Sequence, residues 1–507
     1  MDDQTRVIEF LAHGGPDAGA AMERIDTHTA IVFLCGHRAW KMKRAVRYDY
    51  LDFSTPDRRR AACEAELRLN RRTAPQIYVG VSAVTEETGD GLSLDGRGRP
   101  LEWLVVMHRF DEQFLLDRLA TRGALTLALM PPLADAVADL HEAARPRPDH
   151  GGVDGMRWVV EGNAADFERF KADLPAGDAD AVTAGSRQAI TEHARLLEAR
   201  RTAGVVRECH GDLHLRNVVL LDGRPVLFDG IEFNDRIACV DVLYDAAFLL
   251  MDLLRRHLPV HANRLFNRYL ARTTDEAGLA LLPLFLSCRA AVRAKTSATA
   301  AGLQDTEAAA AALRRAARDY LAQAAALLAP QPARVIAIGG LSGTGKSALA
   351  LRLAPGLGRA PGALVLRSDE VRKALLGRAL HERLGPEGYT PEVSERVYAS
   401  IATRTRLAAA AGHSVIVDAV HADPASRAGV EAAARSAGVP FAGLWLEAPA
   451  ATARARLAAR RGDVSDATPA VLDWQREQQT GPIDWPRVDA AGTADLTERL
   501  AHEALGT

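Results

Sequence analysis

The sequence predicts a two-domain protein of α/β and α+β class, and three observations carry that prediction. The 507 residues exceed what one hydrophobic core usually holds. The hydrophobic pattern changes character near residue 330. Before it, short strand-like runs give way to long helical stretches; after it, apolar runs alternate with helices, as in a parallel sheet covered on both faces. Finally, "GLSGTGKS" at 340–347 follows an apolar run and precedes a helical one, as a phosphate-gripping loop must. "PQPA" at 330–333 supplies a linker, because two prolines stop a helix and stiffen the crossing. The expected domains are 1–329 and 334–507.

In the front portion, "TAIVFLCGHRAWKMKRAVR" at 29–47 reads as two strands joined at Gly36-His37. Residues 56–74 read as a helix, and "APQIYVGVSAVTEE" and "LEWLVVMHRF" as further strands. Helical patterns dominate from 111 onward, interrupted at 205–240, where "DGRP" marks a hairpin turn with polar residues at the strand ends. The alanine-rich run before the linker keeps leucines and Tyr320 at helical spacing, so it reads as a packed helix. Behind the linker, "RVIAIGG", "ALVLRSD", "SVIVDAV" and "FAGLWLEA" are the sheet strands.

Composition narrows the class. Hydrophobic residues make up 48% and charged residues 25%, as in an ordinary soluble chain. A formal net charge of −2 argues against nucleic acid as a partner held by a general positive field. Five cysteines, odd in number and without a C-x-x-C pair, argue against a disulfide framework or zinc site and for a reducing cytoplasm. The acidic N-terminus lacks a signal-peptide layout. No run of about 18 apolar residues is evident, so no membrane span is expected.

The phosphate loop is the strongest signal. Gly340, Gly343 and Gly345 let backbone N–H groups converge on phosphate oxygens, Lys346 reaches the β- and γ-phosphates, and Ser347 turns its hydroxyl oxygen to Mg²⁺. Asp369 and Asp418 follow later apolar runs, so both fall at the carboxyl ends of strands, where open α/β sheets bind ligands. One could take a proton from an acceptor hydroxyl and the other support the metal; either could instead cap a helix. Arg456 and Arg460 share a helical face that would neutralise transferred charge or simply be solvated.

These residues resemble the small P-loop kinases that phosphorylate metabolites, such as gluconate and shikimate kinases, and the related zeta-toxin and polynucleotide-kinase domains. The resemblance covers 334–480 and implies that Asp369 in "RSDEVRK" is the base, Arg372 a substrate contact and Arg460 a lid arginine.

The front portion has its own site. "HGDLHLRN" places Asp212 and Asn217 four intervening residues apart, and Asp229-Gly230 follows a hairpin. Phosphotransfer of the protein-kinase type needs one carboxylate at the acceptor hydroxyl, and an amide oxygen with a second carboxylate on Mg²⁺. The set could also be turn and cap residues. The pattern resembles the aminoglycoside phosphotransferase family from about 25 to 325, which implies a bilobal protein-kinase-like fold. By that resemblance Asp212 is the catalytic base, and Asn217 and Asp229 are metal ligands. The phosphate-pairing lysine is Lys41, with Lys43 on the same face as the alternative, and its partner is Glu64, with Glu66 next. Glu232 or Asp235 would face a cationic or hydroxyl-rich acceptor, or lie in a solvated loop. The expected protein is a bifunctional kinase using ATP and Mg²⁺ on a small hydroxylated acceptor such as a sugar, aminocyclitol or aminoglycoside. The alternative is one active kinase module beside a nucleotide-sensing or regulatory one.

Overall fold

A computed structural model describes residues 3–13, 22–48, 51–89, 91–459, 464–477 and 480–506. The chain forms two compact units, Met1–Val159 with Ala194–Asp252, and Val160–His193 with Leu253–Thr507. The 330–333 segment is coil, but the compact units part elsewhere. The helices after residue 253 belong to the same unit as the phosphate loop.

The first unit opens with helix α1 (Asp3–Ala12) and a six-stranded antiparallel sheet. Its strands are β1 (Glu23–Asp26), β2 (Ala30–Cys35), β3 (Arg38–Lys43), β4 (Tyr78–Glu86), β5 (Leu92–Leu94) and β6 (Arg99–His108), in the order β1-β2-β3-β6-β4-β5. Alternation along β3 sends neighbouring side chains to opposite faces of the sheet. Trp40 and Met42 enter one apolar face with Val7 and Leu11 of α1, Phe33, Leu104 and Val106. Lys41 and Lys43 therefore emerge on the other face, toward helix α2 (Pro56–Asn70). Thr55 caps α2, its side chain accepting from Arg58 N, and Pro56 starts the first turn. Farther on, β7 (Val218–Leu221) and β8 (Arg224–Leu227) form a hairpin whose turn residues, Asp222 and Gly223, both have positive φ. The hairpin brings Asn217 opposite Phe228, whose N–H donates to Asn217 O at 3.0 Å, so Asp229 comes immediately beside Asn217.

The second unit contains a five-stranded parallel sheet: β9 (Val335–Gly339), β10 (Leu364–Arg367), β11 (Val415–Asp418), β12 (Phe441–Glu447) and β13 (Arg487–Asp489), in the order β10-β11-β9-β12-β13. Ile336, Ile338, Val365, Ile416, Leu444 and Leu446 fill its core. Edge strand β10 is covered by the helix Pro259–Thr273: Asn267 Oδ1 accepts from Val365 N at 2.6 Å, and Asn263 Nδ2 donates to Pro361 O and Ala363 O, each at 3.1 Å. A buried ion pair between Arg404 and Glu276 adds to the same packing.

Two sequence expectations meet the structure here. All five cysteines are free and buried. The stretch Glu276–Ala301, by contrast, is long and apolar enough to cross a bilayer, which the expectation of no such run missed; most of it is buried within the protein. Its apolarity has a local cause, since Leu282–Ala301 packs against Glu307–Leu328 as a core helix.

Candidate active sites

In the first unit the charged side chains of β3, α2 and the loop after β8 meet. Lys41 Nζ lies 2.8 Å from Glu66 Oε1 and 2.6 Å from Asp229 Oδ1. The other oxygen of Glu66 pairs with Lys43, which also pairs with Glu232. Glu64 is not part of this set; it is exposed and bonds Arg60 at 2.9 Å. The correction from Glu64 to Glu66 comes from helical phase. Arg59, Cys63, Glu66 and Asn70 recur at intervals of three and four along the buried face of α2, whereas Glu64 is about 200° around the helix from Glu66. Glu232 and Asp235 part company in the structure. Glu232 is buried on Lys43, and Asp235 pairs with Arg147 at 3.0 Å.

The electrostatics follow from burial and pairing. Burial opposes the charge on Lys41, but Asp229 and Glu66 prevail and hold the ammonium well above its ordinary range. Burial would likewise raise Glu66, yet the two lysines hold its carboxyl below its usual value. For Glu232 burial wins over Lys43, and the carboxyl is raised.

Asp212, Asn217 and Asp229 occupy one loop system. Asn217 Nδ2 donates to Asp212 O at 2.9 Å and to Asp212 Oδ2 at 3.0 Å, and His214 Nε2 lies 3.3 Å from Asp212 Oδ2. These bonds commit the amide nitrogen of Asn217 to Asp212 and so turn its oxygen away as a potential metal donor. Asp229 has φ +62°, a left-handed backbone that costs a non-glycine residue about 1 kcal/mol. Tyr78 OH accepts its N–H at 3.2 Å, and the following Gly230 N–H donates to Asn70 Oδ1 at 2.8 Å. Asp245 accepts from His210 N and Gly211 N at 3.1 and 2.9 Å, tying the start of this loop to the helix Val242–Arg255. Asp241 does the same work elsewhere, pairing with Arg200 at 2.6 Å. Within this buried network the side chains of Asp229 and Asp212 stay 43% and 35% exposed. Asp229 thus offers a hard oxygen donor at an accessible edge, with the buried Asn217 behind it in the same loop system; an amide and a carboxylate oxygen are donors of the kind Mg²⁺ takes.

In the second unit the phosphate loop runs from β9 into the helix Lys346–Leu353. Gly340, Gly343 and Gly345 have φ of 136°, 83° and 99°. A Cβ at Gly340 would lie 2.5 Å from Leu446 O, and one at Gly343 would lie 2.6 Å from Ala453 O. Lys346 Nζ donates to Leu341 O at 3.0 Å, and Ser342 N donates to Gln475 Oε1 at 2.9 Å. Asp418 ends β11, but Arg367 lies between it and Ser347: its Nε is 3.3 Å from Asp418 Oδ2 and its Nη2 is 3.2 Å from Ser347 Oγ. The two expected metal ligands are therefore bridged here by a guanidinium. Asp369 opens the helix Ser368–Leu375, and burial, with Asp418 nearby, raises its carboxyl. Arg372 is buried against Tyr389 and donates to Gly388 O at 2.8 Å, while its Nε has no hydrogen-bond partner among the described residues. Arg456 braces the loop, donating to Thr344 O at 3.4 Å. Arg460 lies outside the described residues. Sequence reasoning missed Arg367 and Gln475; the position of Arg367 at a strand end, two residues before Asp369, was its one available signal.

A Mycobacterium tuberculosis protein, "Uncharacterized protein Rv2004c", is 30% identical over 492 residues, spanning 94% of each chain. The chain belongs to the family of that mycobacterial protein. Residues 335–482 match the family model of an AAA domain. Among solved structures, the chain is similar to a choline/ethanolamine kinase family protein from Mesorhizobium loti (14% identity, 64% of this chain and 99% of that one, TM-score 0.39). It is also similar to the aminoglycoside phosphotransferase APH(3'')-Id from Streptomyces rimosus (22%, 57% and 99%, TM-score 0.32). A gluconokinase from Sinorhizobium meliloti is 21% identical, covering 35% of this chain and 94% of that one, with TM-score 0.26.

Proposed function

We propose that the protein is an ATP-dependent kinase with two active sites, each transferring the γ-phosphate to a hydroxyl of a small acceptor such as a sugar, aminocyclitol or aminoglycoside. The observation that carries this reading is the ion-paired chain Asp229–Lys41–Glu66 beside the Asp212–Asn217 pair, the set that phosphotransfer requires. In the first site Asp212 accepts the acceptor's hydroxyl proton, its carboxylate oriented by Asn217 and His214. Lys41 leaves Asp229 to pair with a nucleotide phosphate, and Asn217 and Asp229 hold the metal. Mg²⁺ supplies charge neutralisation on the phosphates. In the second site the loop amides and Lys346 grip the phosphates, Asp369 is the base, and Arg372, whose buried Nε has no hydrogen-bond partner among the described residues, is the substrate contact. The five buried thiols suit a reducing cytoplasm.

A second reading has a specific observation behind it. Lys346, Ser342, Ser347 and Asp418 all engage other protein groups, which favours a P-loop module that senses nucleotide while only the first site transfers phosphate. One experiment separates the two. The full chain is incubated with ATP, Mg²⁺ and a panel of sugars, aminocyclitols and aminoglycosides, and products are read by mass spectrometry. Two transferases predict that Asp212→Asn and Asp369→Asn each remove a distinct phosphorylated product. Loss of product with Asp212→Asn alone supports the sensing role, and no phosphorylated product from the unmodified chain rejects both readings.

A further inference from the structure

The first site contains more charge than its phosphotransfer role uses. Lys41 and Glu66 account for one ion pair, yet Lys43 and Glu232 form a second, and Glu66 is shared between them, one oxygen to each lysine. Lys43 is 3% exposed and sits over the Phe53 ring, so unlike Lys41 it has no route to a nucleotide. The linked set runs Asp229–Lys41–Glu66–Lys43–Glu232. Three carboxylates against two ammonium groups leave one negative charge. Of the carboxylates, only Asp229 has a substantially exposed side chain; those of Glu66 and Glu232 are 0% and 4% exposed.

We propose that Lys43 and Glu232 are positioning residues that balance charge for the first site, keeping Glu66 compensated so that Lys41 is free to exchange Asp229 for a phosphate and the surplus negative charge rests on Asp229, facing the cation. The inference rests on the kinase reading of that site. Its physical basis is that a buried carboxylate must stay paired. Without Lys43, Glu66 would depend on Lys41 alone and hold it away from phosphate. Without the charge of Glu232, the set becomes neutral, which favours an anion and weakens the draw on a divalent cation.

The two variants should therefore shift binding in opposite directions, which a purely structural pair would not do. In the full chain carrying Lys346→Ala to silence the P-loop, ATP affinity is measured by calorimetry with and without Mg²⁺, alongside melting temperature. Lys43→Met should weaken metal-free ATP binding about tenfold. Glu232→Gln should leave it unchanged or tighten it, while cutting the gain in affinity on adding Mg²⁺ by about fivefold. The double variant Lys43→Met/Glu232→Leu restores the net charge with apolar groups of similar size and guards against misfolding of the single variants. It should melt close to the parent yet keep the roughly tenfold loss of metal-free affinity seen with Lys43→Met, because Glu66 is still left to Lys41 alone; recovery of affinity in the double variant would overturn the proposal. Single variants that both weaken binding, or that both leave the two affinities unchanged, overturn the proposal. If the Lys346→Ala parent itself shows no Mg²⁺-dependent ATP binding, the kinase reading of the first site falls, and the proposal with it.

Discussion

Glu64 and Glu66 differ by two positions and by almost every physical property that matters. Glu64 is an exposed carboxylate in an i,i+4 pair with Arg60, worth about 0.3–0.5 kcal/mol. Glu66 is fully buried between two lysines, and removing one partner of such a set typically costs about 3–5 kcal/mol. Urea unfolding should show Glu64→Ala within about 0.5 kcal/mol of the parent, and Glu66→Ala less stable by several kcal/mol and without Mg·ATP binding at the first site. Equal stability of the two variants would reject the buried network. The sequence supplied both candidates because each falls on a helix two residues from the other. The choice depended on which face of α2 meets the sheet, and that is fixed by packing of Cys63, Ile77 and Val105. By contrast, Lys41, Asp212, Asn217 and Asp229 were legible, because alternation along β3 and the short loop-to-hairpin spacing are local constraints.

At the level of elements, the phosphate loop was readable because its glycines answer to backbone geometry rather than to distant contacts. Two of them should fail differently when changed. Gly340 combines φ +136° with a Cβ position 2.5 Å from a backbone oxygen of β12, whereas a Cβ at Gly345 would approach Arg456 Nη1 only to 3.8 Å. In a Lys41→Ala chain, which isolates the second site, Gly340→Ala should abolish nucleotide binding. Gly345→Ala should incur only the left-handed strain of about 1–2 kcal/mol, roughly a tenfold loss in affinity by titration. The reverse order would mean that the loop is not held as described. The bridge made by Arg367 was not legible in the same way, since it joins three separate segments, β10, β11 and the start of the helix after the loop.

For the molecule as a whole, acid sensitivity should begin before the carboxylates titrate. Burial holds His413 down to about 4 and His421 down to about 3, so both stay neutral in the folded second unit. An unfolded histidine takes a proton near its ordinary value of 6.5, and the unfolded chain therefore binds more protons in the window below it. Stability is full above that pH and is lost as pH falls toward the folded values. Each histidine should cost about 2 kcal/mol by pH 5. Denaturant titrations of the full chain between pH 7.5 and 5 should show the decline, and His421→Asn, which tolerates that residue's left-handed backbone, should remove its own share of about 2 kcal/mol. A flat profile would contradict the neutral, buried state of these rings. The division of the chain was the least legible feature. Prolines at 330–333 signal a break in secondary structure, but the asparagines that hold the edge of the parallel sheet look like ordinary surface residues of an amphipathic helix.

Those asparagines bear on how the protein can be dissected. Cutting at the proline segment would strip the Val365 N–H of β10, and the Pro361 and Ala363 carbonyls just before the strand, of the amide groups that occupy them, leaving an open edge ready to recruit another chain. A fragment beginning at residue 334 should therefore self-associate, whereas one that begins near residue 253 keeps its own edge guard.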